Sequence, residues 1–373
     1  MIYEQFNLGF IFNQLPNLLA KGMNCFTSES DLLVKLAREL RQDPSITHDR
    51  SIFRKIRNSE TNDKLTNELV EFLDFNGKML PMTPIEEIDL KTLGAWFLVD
   101  SMVNGFKANR FYSSDTDNKY FDFIHAHCEL EQTLITELFH HKDVTQINSN
   151  IQKWLLTEIK FPVPSVEERA SYFSKLTMYV CALIELGLEA LNESDVNSIL
   201  NKVLPRHEIT KKDHLLIPSS EILLEKTKAG WAKYNYGKEK ISWEQFYRDI
   251  LTAQAKDEAL INKYPKYAEI DIIDPDTKAI KKRFQRWRAG DLFTLEDFRI
   301  YLAILRLPYK DSKQNLGLEC YFLVNIFTYV QSDLIKNGIH PRDIADLFSR
   351  YPEYKVLVNS RFKEFKLSGV LNP

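Results

Sequence analysis

The stretch Asp274–Gly290, DPDTKAIKKRFQRWRAG, spells out one helix from its start to its stop. Asp274 followed by Pro275 reads as an N-cap with proline at the first helical position. Ile280, Phe284 and Trp287, spaced i, i+4, i+7, form a single apolar stripe, and Gly290 stands where a glycine ends a helix. Lys278, Lys281, Lys282 and Gln285, spaced i, i+3, i+4, i+7, occupy the opposite face. The pattern predicts a helix to about Arg288 with one buried side and one exposed side.

The same grammar extends outward. Ser242 and Gln245 make an S-x-x-Q box ahead of a helix over Trp243–Gln254. A second helix is predicted from Lys256 to Tyr264, stopped by Pro265. Thr294, with Asp297 three residues on, opens another that ends before Pro308. Further away, Ser30–Leu40 (SDLLVKLAREL) has helical periodicity, and Glu86–Phe106, Lys119–His141 and Asn148–Ile159 are apolar helical segments. Ser165 with Glu168 caps a helix over Val166–Leu191; Leu316–Ile335 is a strongly apolar helix, and Arg342–Arg350 belongs to a terminal helical cap. The chain has 12 glycines in 373 residues, well under the ~7% usual for soluble proteins. A chain poor in breakers favours long helices over many-stranded sheets. The expected class is mostly α. Ala268–Ile273 alternates weakly, and there is room for one small hairpin.

A polar, irregular stretch from Pro205 through Pro218-Ser219-Ser220 divides the chain. The expected organisation is an aromatic-rich helical domain over 1–204, a connecting segment over 205–240, and a third part over 241–373. The 24 Phe, 16 Tyr and 5 Trp suit packing between helices.

Several function classes are excluded early. GxGxxG, GxxxxGK[ST] and GxSxG are absent, so the common nucleotide-binding and hydrolase fingerprints are missing. Cys25, Cys128, Cys181 and Cys320 lie far apart with no CxxC pair, which argues against a disulfide scaffold or zinc ribbon and for a reducing cytoplasm. Met1–Ala20 carries Glu4 and lacks a basic leader before its apolar stretch, unlike a signal peptide. Charges within the two most apolar stretches, such as Lys175, Glu185 and Glu189 in one and Glu319 and Asp333 in the other, argue against membrane spans.

The net charge of -3 offers no global attraction for a polyanion. Its distribution is uneven. Lys278, Lys281, Lys282, Arg283, Arg286 and Arg288 put six positive charges into the eleven residues of Lys278–Arg288. From Lys278 to Lys310 there are nine basic and three acidic residues, about +6, which leaves about -9 for the remainder. Like charges at helical neighbour spacing destabilise an isolated helix by a few tenths of a kcal/mol per pair. Phosphates would neutralise such a face. A helix is also the right width to enter a DNA major groove, where Gln and Arg read base edges.

The run Phe284–Gly290 (FQRWRAG), followed by Thr294–Phe298 (TLEDF) and Tyr301–Leu305 (YLAIL), resembles a known pattern. It is similar to the recognition helix, glycine turn and following helix of helix-turn-helix DNA-binding domains of the phage-repressor (lambda-repressor-like) type. The resemblance covers about 25 residues strongly and about 65, over 242–307, loosely. The alanine that this family places in its second helix falls near Asp274. If Ala268 takes that place, Asp271–Pro275 are extra residues in the turn. The resemblance implies a two-part, multi-helical protein with a helix-turn-helix-like unit in its C-terminal half. It also implies double-stranded DNA as partner and a role as transcriptional regulator or mobile-element or phage-related factor. Lys278, Lys281, Lys282, Gln285, Arg286 and Arg288 would contact DNA, with Trp287 holding the helix to its domain. No cofactor is implied.

Other constellations are weaker. Arg50, Arg54, Lys55 and Arg57 form a second basic patch on a segment with Ile52 and Ile56 as its buried pair. His127 and Glu131, spaced i, i+4, are candidate metal ligands, with His125, Cys128 and His140 nearby in sequence. His207 and His214 flank Lys211-Lys212 in the connecting stretch. Two alternatives therefore stand beside DNA binding: a helical protein-interaction scaffold, such as a bacterial effector or defence component with a protein partner for its N-terminal half, and a metal-dependent enzyme with a site assembled across helices.

Overall fold

The computed structural model describes residues 119–120, 122–124, 126–127, 130, 166–192, 198, 200–210, 213–294, 297, 300–301 and 318–371. Among these the helices are α1 (Val166–Asn192), α2 (Ser219–Tyr236), α3 (Trp243–Gln254), α4 (Glu258–Lys263), α5 (Lys278–Arg288), α6 (Leu318–Lys336), α7 (Pro341–Ser349) and α8 (Tyr351–Ser368). Among the same residues one antiparallel hairpin joins β1 (Arg206–Ile209) to β2 (His214–Ile217). The protein is mostly α, as its composition requires. None of the described helices is long and apolar enough to cross a membrane.

The chain divides into two compact units, one holding α1 and the residues from Glu353 onward, the other the described part of Ser194–Pro352. In the first, α1 is buried along most of its length, with Tyr172, Leu176, Tyr179, Val180, Leu183 and Leu186 all in the core. Phe123 packs against Phe362 and Phe365 of α8, at ring separations of 5.2 and 5.5 Å. Tyr120 donates its hydroxyl to the Leu183 carbonyl at 2.9 Å. Its ring lies where a side chain at residue 187 would begin, so any larger residue there would have to displace the Tyr120 ring. The buried ammonium of Lys355 sits 2.7 Å from Glu189 and 3.8 Å from Glu185, so the cation faces two carboxylates rather than standing alone in the interior.

In the second unit, α2 packs against α3, α5 and α6. The apolar α6 packs against α2 and α7 and buries Leu323, Val324, Ile326, Phe327, Val330 and Leu334. Its buried amides serve as substitutes for backbone partners. Asn325 donates to the Phe293 carbonyl and accepts from the Phe293 N–H, both at 2.9 Å. Gln331 accepts from the Ser219 N–H at 3.1 Å and donates to the Ser219 hydroxyl at 2.9 Å. The hairpin packs against α7, which buries Ile344 and Phe348.

Residues 205–240 differ from the expected connector, because they form the hairpin and α2. Pro205 and Pro218 mark element edges rather than a loop: one precedes β1 and the other is the N-cap residue of α2. Ala268–Ile273 is not a strand, since a 3-10 helix runs to Glu269 and bends follow. The capping predictions are closer. Ser242 accepts from the Gln245 N–H at 3.0 Å and α3 has the expected bounds. Thr294 and Asp297 cap each other reciprocally, with the Asp297 N–H donating to the Thr294 hydroxyl and the Thr294 N–H to the Asp297 carboxylate.

Candidate nucleic-acid interface

Helix α5 starts at Lys278, three residues later than Pro275. The carboxylates of the preceding loop are already engaged: Asp276 accepts from the Lys278 N–H at 3.0 Å, and Asp274 pairs with Arg248 at 3.1 Å. Thr277 donates its hydroxyl to Glu244 at 2.8 Å, which ties the entry of α5 to the first turn of α3. No tight turn of about three or four residues precedes α5, as the repressor-type motif would have it. The non-helical segment Ile270–Thr277 stands there instead.

The helix ends as its sequence requires. Gly290 has φ +100°. Its N–H donates to the Trp287 carbonyl at 3.1 Å and the Asp291 N–H to the Arg286 carbonyl at 3.0 Å, the two bonds of a Schellman motif. The apolar stripe is buried as predicted, with Ile280, Phe284 and Trp287 all in the core. Phe284 meets Phe246, Tyr247, Trp287 and Tyr301 at ring separations from 4.9 to 5.9 Å. Trp287 adds Phe293 at 5.0 Å. The Ser220 hydroxyl donates to the Trp287 carbonyl at 2.7 Å, so backbone and ring are both fixed. Burial lifts the Tyr301 phenol to about 12, against the opposing charge of Arg283, so it stays neutral beside this cluster.

The basic residues of α5 fall into two groups. The three arginines are engaged. Arg283 pairs with the buried Asp297, Arg286 with Asp291 at 2.6 Å, and Arg288 with Glu221. The Arg288 guanidinium also lies 4.6 Å from the centre of the Trp243 ring, with the Lys228 ammonium 4.1 Å from it. Burial lowers the pKa of Lys228 despite the nearby Glu225, and the cations Arg288 and Lys240 push it the same way. Lys278, Lys281, Lys282 and Gln285 are exposed, and among the described residues none of the three lysines has a carboxylate within ion-pair distance. Of the six predicted contact residues, four therefore stand open to solvent. Arg286 is exposed but paired, and Arg288 is turned into its own unit.

The remaining predicted sites fare differently. Arg50, Arg54, Lys55, Arg57 and Glu131 lie outside the described residues. His127 is fully buried, and both its ring nitrogens are engaged. Nδ1 lies 2.8 Å from the Phe123 carbonyl, which can only accept, so Nδ1 carries the proton. Nε2 then accepts from the Tyr179 hydroxyl at 2.8 Å, and Arg361 donates to the same phenol oxygen at 3.0 Å. Burial holds the imidazole pKa down at about 3, against the opposing Phe123 bond. A neutral histidine with no spare lone pair cannot ligate a metal without breaking this chain. Among the described residues no group of three or more His, Cys, Asp or Glu is placed to hold a metal.

His207 and His214 come together across the hairpin, Nε2 to Nδ1 at 2.8 Å with their rings stacked. His340, the N-cap of α7, joins them with its ring 4.7 Å from that of His214. The sequence carried no signal for this third member, which lies far along the chain. Comparison with known protein families, with curated proteins and with solved structures finds no match to this chain.

Proposed function

We propose that this is a DNA-binding protein in which α5 lies against a duplex through Lys278, Lys281, Lys282 and Gln285. The observation that carries the proposal is the split character of that helix. Its inner side is fixed by Ile280, Phe284 and Trp287, while three lysines face solvent on the other side with no carboxylate opposite among the described residues. Assembling like charges on a rigid helix costs free energy in the isolated protein. A polyanion returns it through counterion release. The sequence resemblance around Phe284–Gly290 points the same way and suggests a regulator or a mobile-element or phage-related factor.

Binding of the whole protein to duplex DNA, followed across a salt titration, tests this. Affinity that falls with salt and is lost in the double variant Lys281→Glu with Lys282→Glu supports it. No duplex binding at low salt refutes it. An acidic protein partner captured through the same lysines, in the absence of duplex binding, would instead make the chain an interaction scaffold.

A further inference from the structure

Resting on that proposal, we infer that α5 contacts the phosphate backbone without selecting a base sequence. The inference comes from which cations are occupied. Specific major-groove reading most often uses arginine, whose fork fits the two acceptors of guanine. Every arginine of α5 already has a carboxylate within the protein. Arg283 is held by the buried Asp297, and Arg288 donates through both Nε and Nη2 to one oxygen of Glu221. Turning either toward a base would leave a largely buried carboxylate alone, which is expensive. Arg286 is held more weakly, because its pair with Asp291 is exposed to solvent.

What remains open is three lysines and one glutamine. Lysine is a compact, strongly hydrated charge on a flexible stem, suited to a phosphate and without the rigid planar fork that fixes arginine on two base acceptors. Gln285 alone has the paired donor and acceptor that can read an adenine edge. A single such contact against three phosphate contacts makes the helix a backbone binder. The arginines fasten the helix to its unit, and the lysines fasten the unit to the polyanion.

Two measurements on the full chain test this. The first is the salt dependence of binding to fluorescent duplexes of unrelated sequence. Three neutralised phosphates predict a slope of log affinity against log salt of about -2.7, rising to about -3.6 if Arg286 joins. The second is selection from a random duplex pool. The expected results are affinities within about threefold across sequences and no enriched motif. Gln285→Ala and Arg286→Ala should shift every duplex by a similar small factor, while Lys281→Glu with Lys282→Glu lowers affinity about tenfold or more throughout. Native-like urea unfolding of each variant controls for loss of fold. An enriched motif whose preference collapses in Gln285→Ala or Arg286→Ala overturns the inference and leaves DNA binding standing. Absence of duplex binding at low salt overturns both.

Discussion

The Nε of Arg288 donates to the Glu221 carboxylate at 2.9 Å, joining the last turn of α5 to the first turn of α2 across 67 residues of sequence. The carboxylate sits near the N-terminus of α2 and the guanidinium near the C-terminus of α5, so each charge also opposes its own helix dipole. Arg288 is 29% exposed and Glu221 15%, a position between surface and core.

Arg288 is therefore structural, and its loss is expected to lower stability rather than only DNA affinity. Removing one partner of a partly buried, doubly bonded charge pair costs about 1–3 kcal/mol. Arg288→Ala should show that loss in urea unfolding, and Glu221→Ala should match it. Lys281→Ala, on the exposed face, should stay within about 0.5 kcal/mol of the parent. Equal stability for Arg288→Ala and the parent would contradict this division of roles.

Asn325 presents a second case. Its amide takes the place of a strand partner for both backbone groups of Phe293. Asn325→Leu leaves a buried N–H and a buried carbonyl unsatisfied, at about 1–3 kcal/mol for each group. Hydrogen exchange at the Phe293 amide should accelerate in that variant by more than global unfolding alone explains. An unchanged protection factor would place the bond outside the stabilising set.

These contacts mark how far the sequence was legible. Local signals carried well. The bounds of α3, the buried stripe of α5, the Gly290 stop and the Thr294–Asp297 box each follow from neighbours three or four residues apart. The start of α5 did not follow, because Asp274, read as a cap, is held instead by Arg248, and Asp276 takes up the Lys278 N–H. Side-chain partners set by packing stayed hidden as well. Nothing near Arg288 announces Glu221, and nothing near His207 and His214 announces His340. The contact face of α5 was thus legible as a row of charges, while the occupation of its arginines depends on contacts that no spacing encodes.

Gly290 gives a prediction from backbone geometry. At φ +100° an L side chain is strained, and a Cβ there would stand 3.2 Å from the Ser332 hydroxyl oxygen. Gly290→Ala is expected to cost about 1–3 kcal/mol and to loosen the Schellman turn. Calorimetry of the variant should show a lower Tm. A Tm at or above that of the parent would mean that the turn relaxes at no cost.

His127 makes stability depend on pH in a defined direction. Unfolding frees an imidazole that titrates near the ordinary value of about 6.5, whereas in the folded chain burial holds it near 3. Between those values the unfolded state binds a proton that the folded state refuses. The contribution is therefore intact above about pH 6.5 and is lost progressively as pH falls toward 3, at up to about 1.4 kcal/mol per pH unit. His127→Gln removes the titrating group while keeping a side chain able to hydrogen-bond, so carboxylate titrations common to both proteins cancel in the difference. The stability of the parent minus that of the variant, measured by urea unfolding from pH 7 to 4, should fall steadily with acid. Two curves that run parallel over that range would show that His127 takes up its proton in the fold as readily as in the unfolded chain. The chain from Arg361 through Tyr179 to Phe123 would then need a different proton arrangement, because a charged imidazole cannot accept from the Tyr179 hydroxyl.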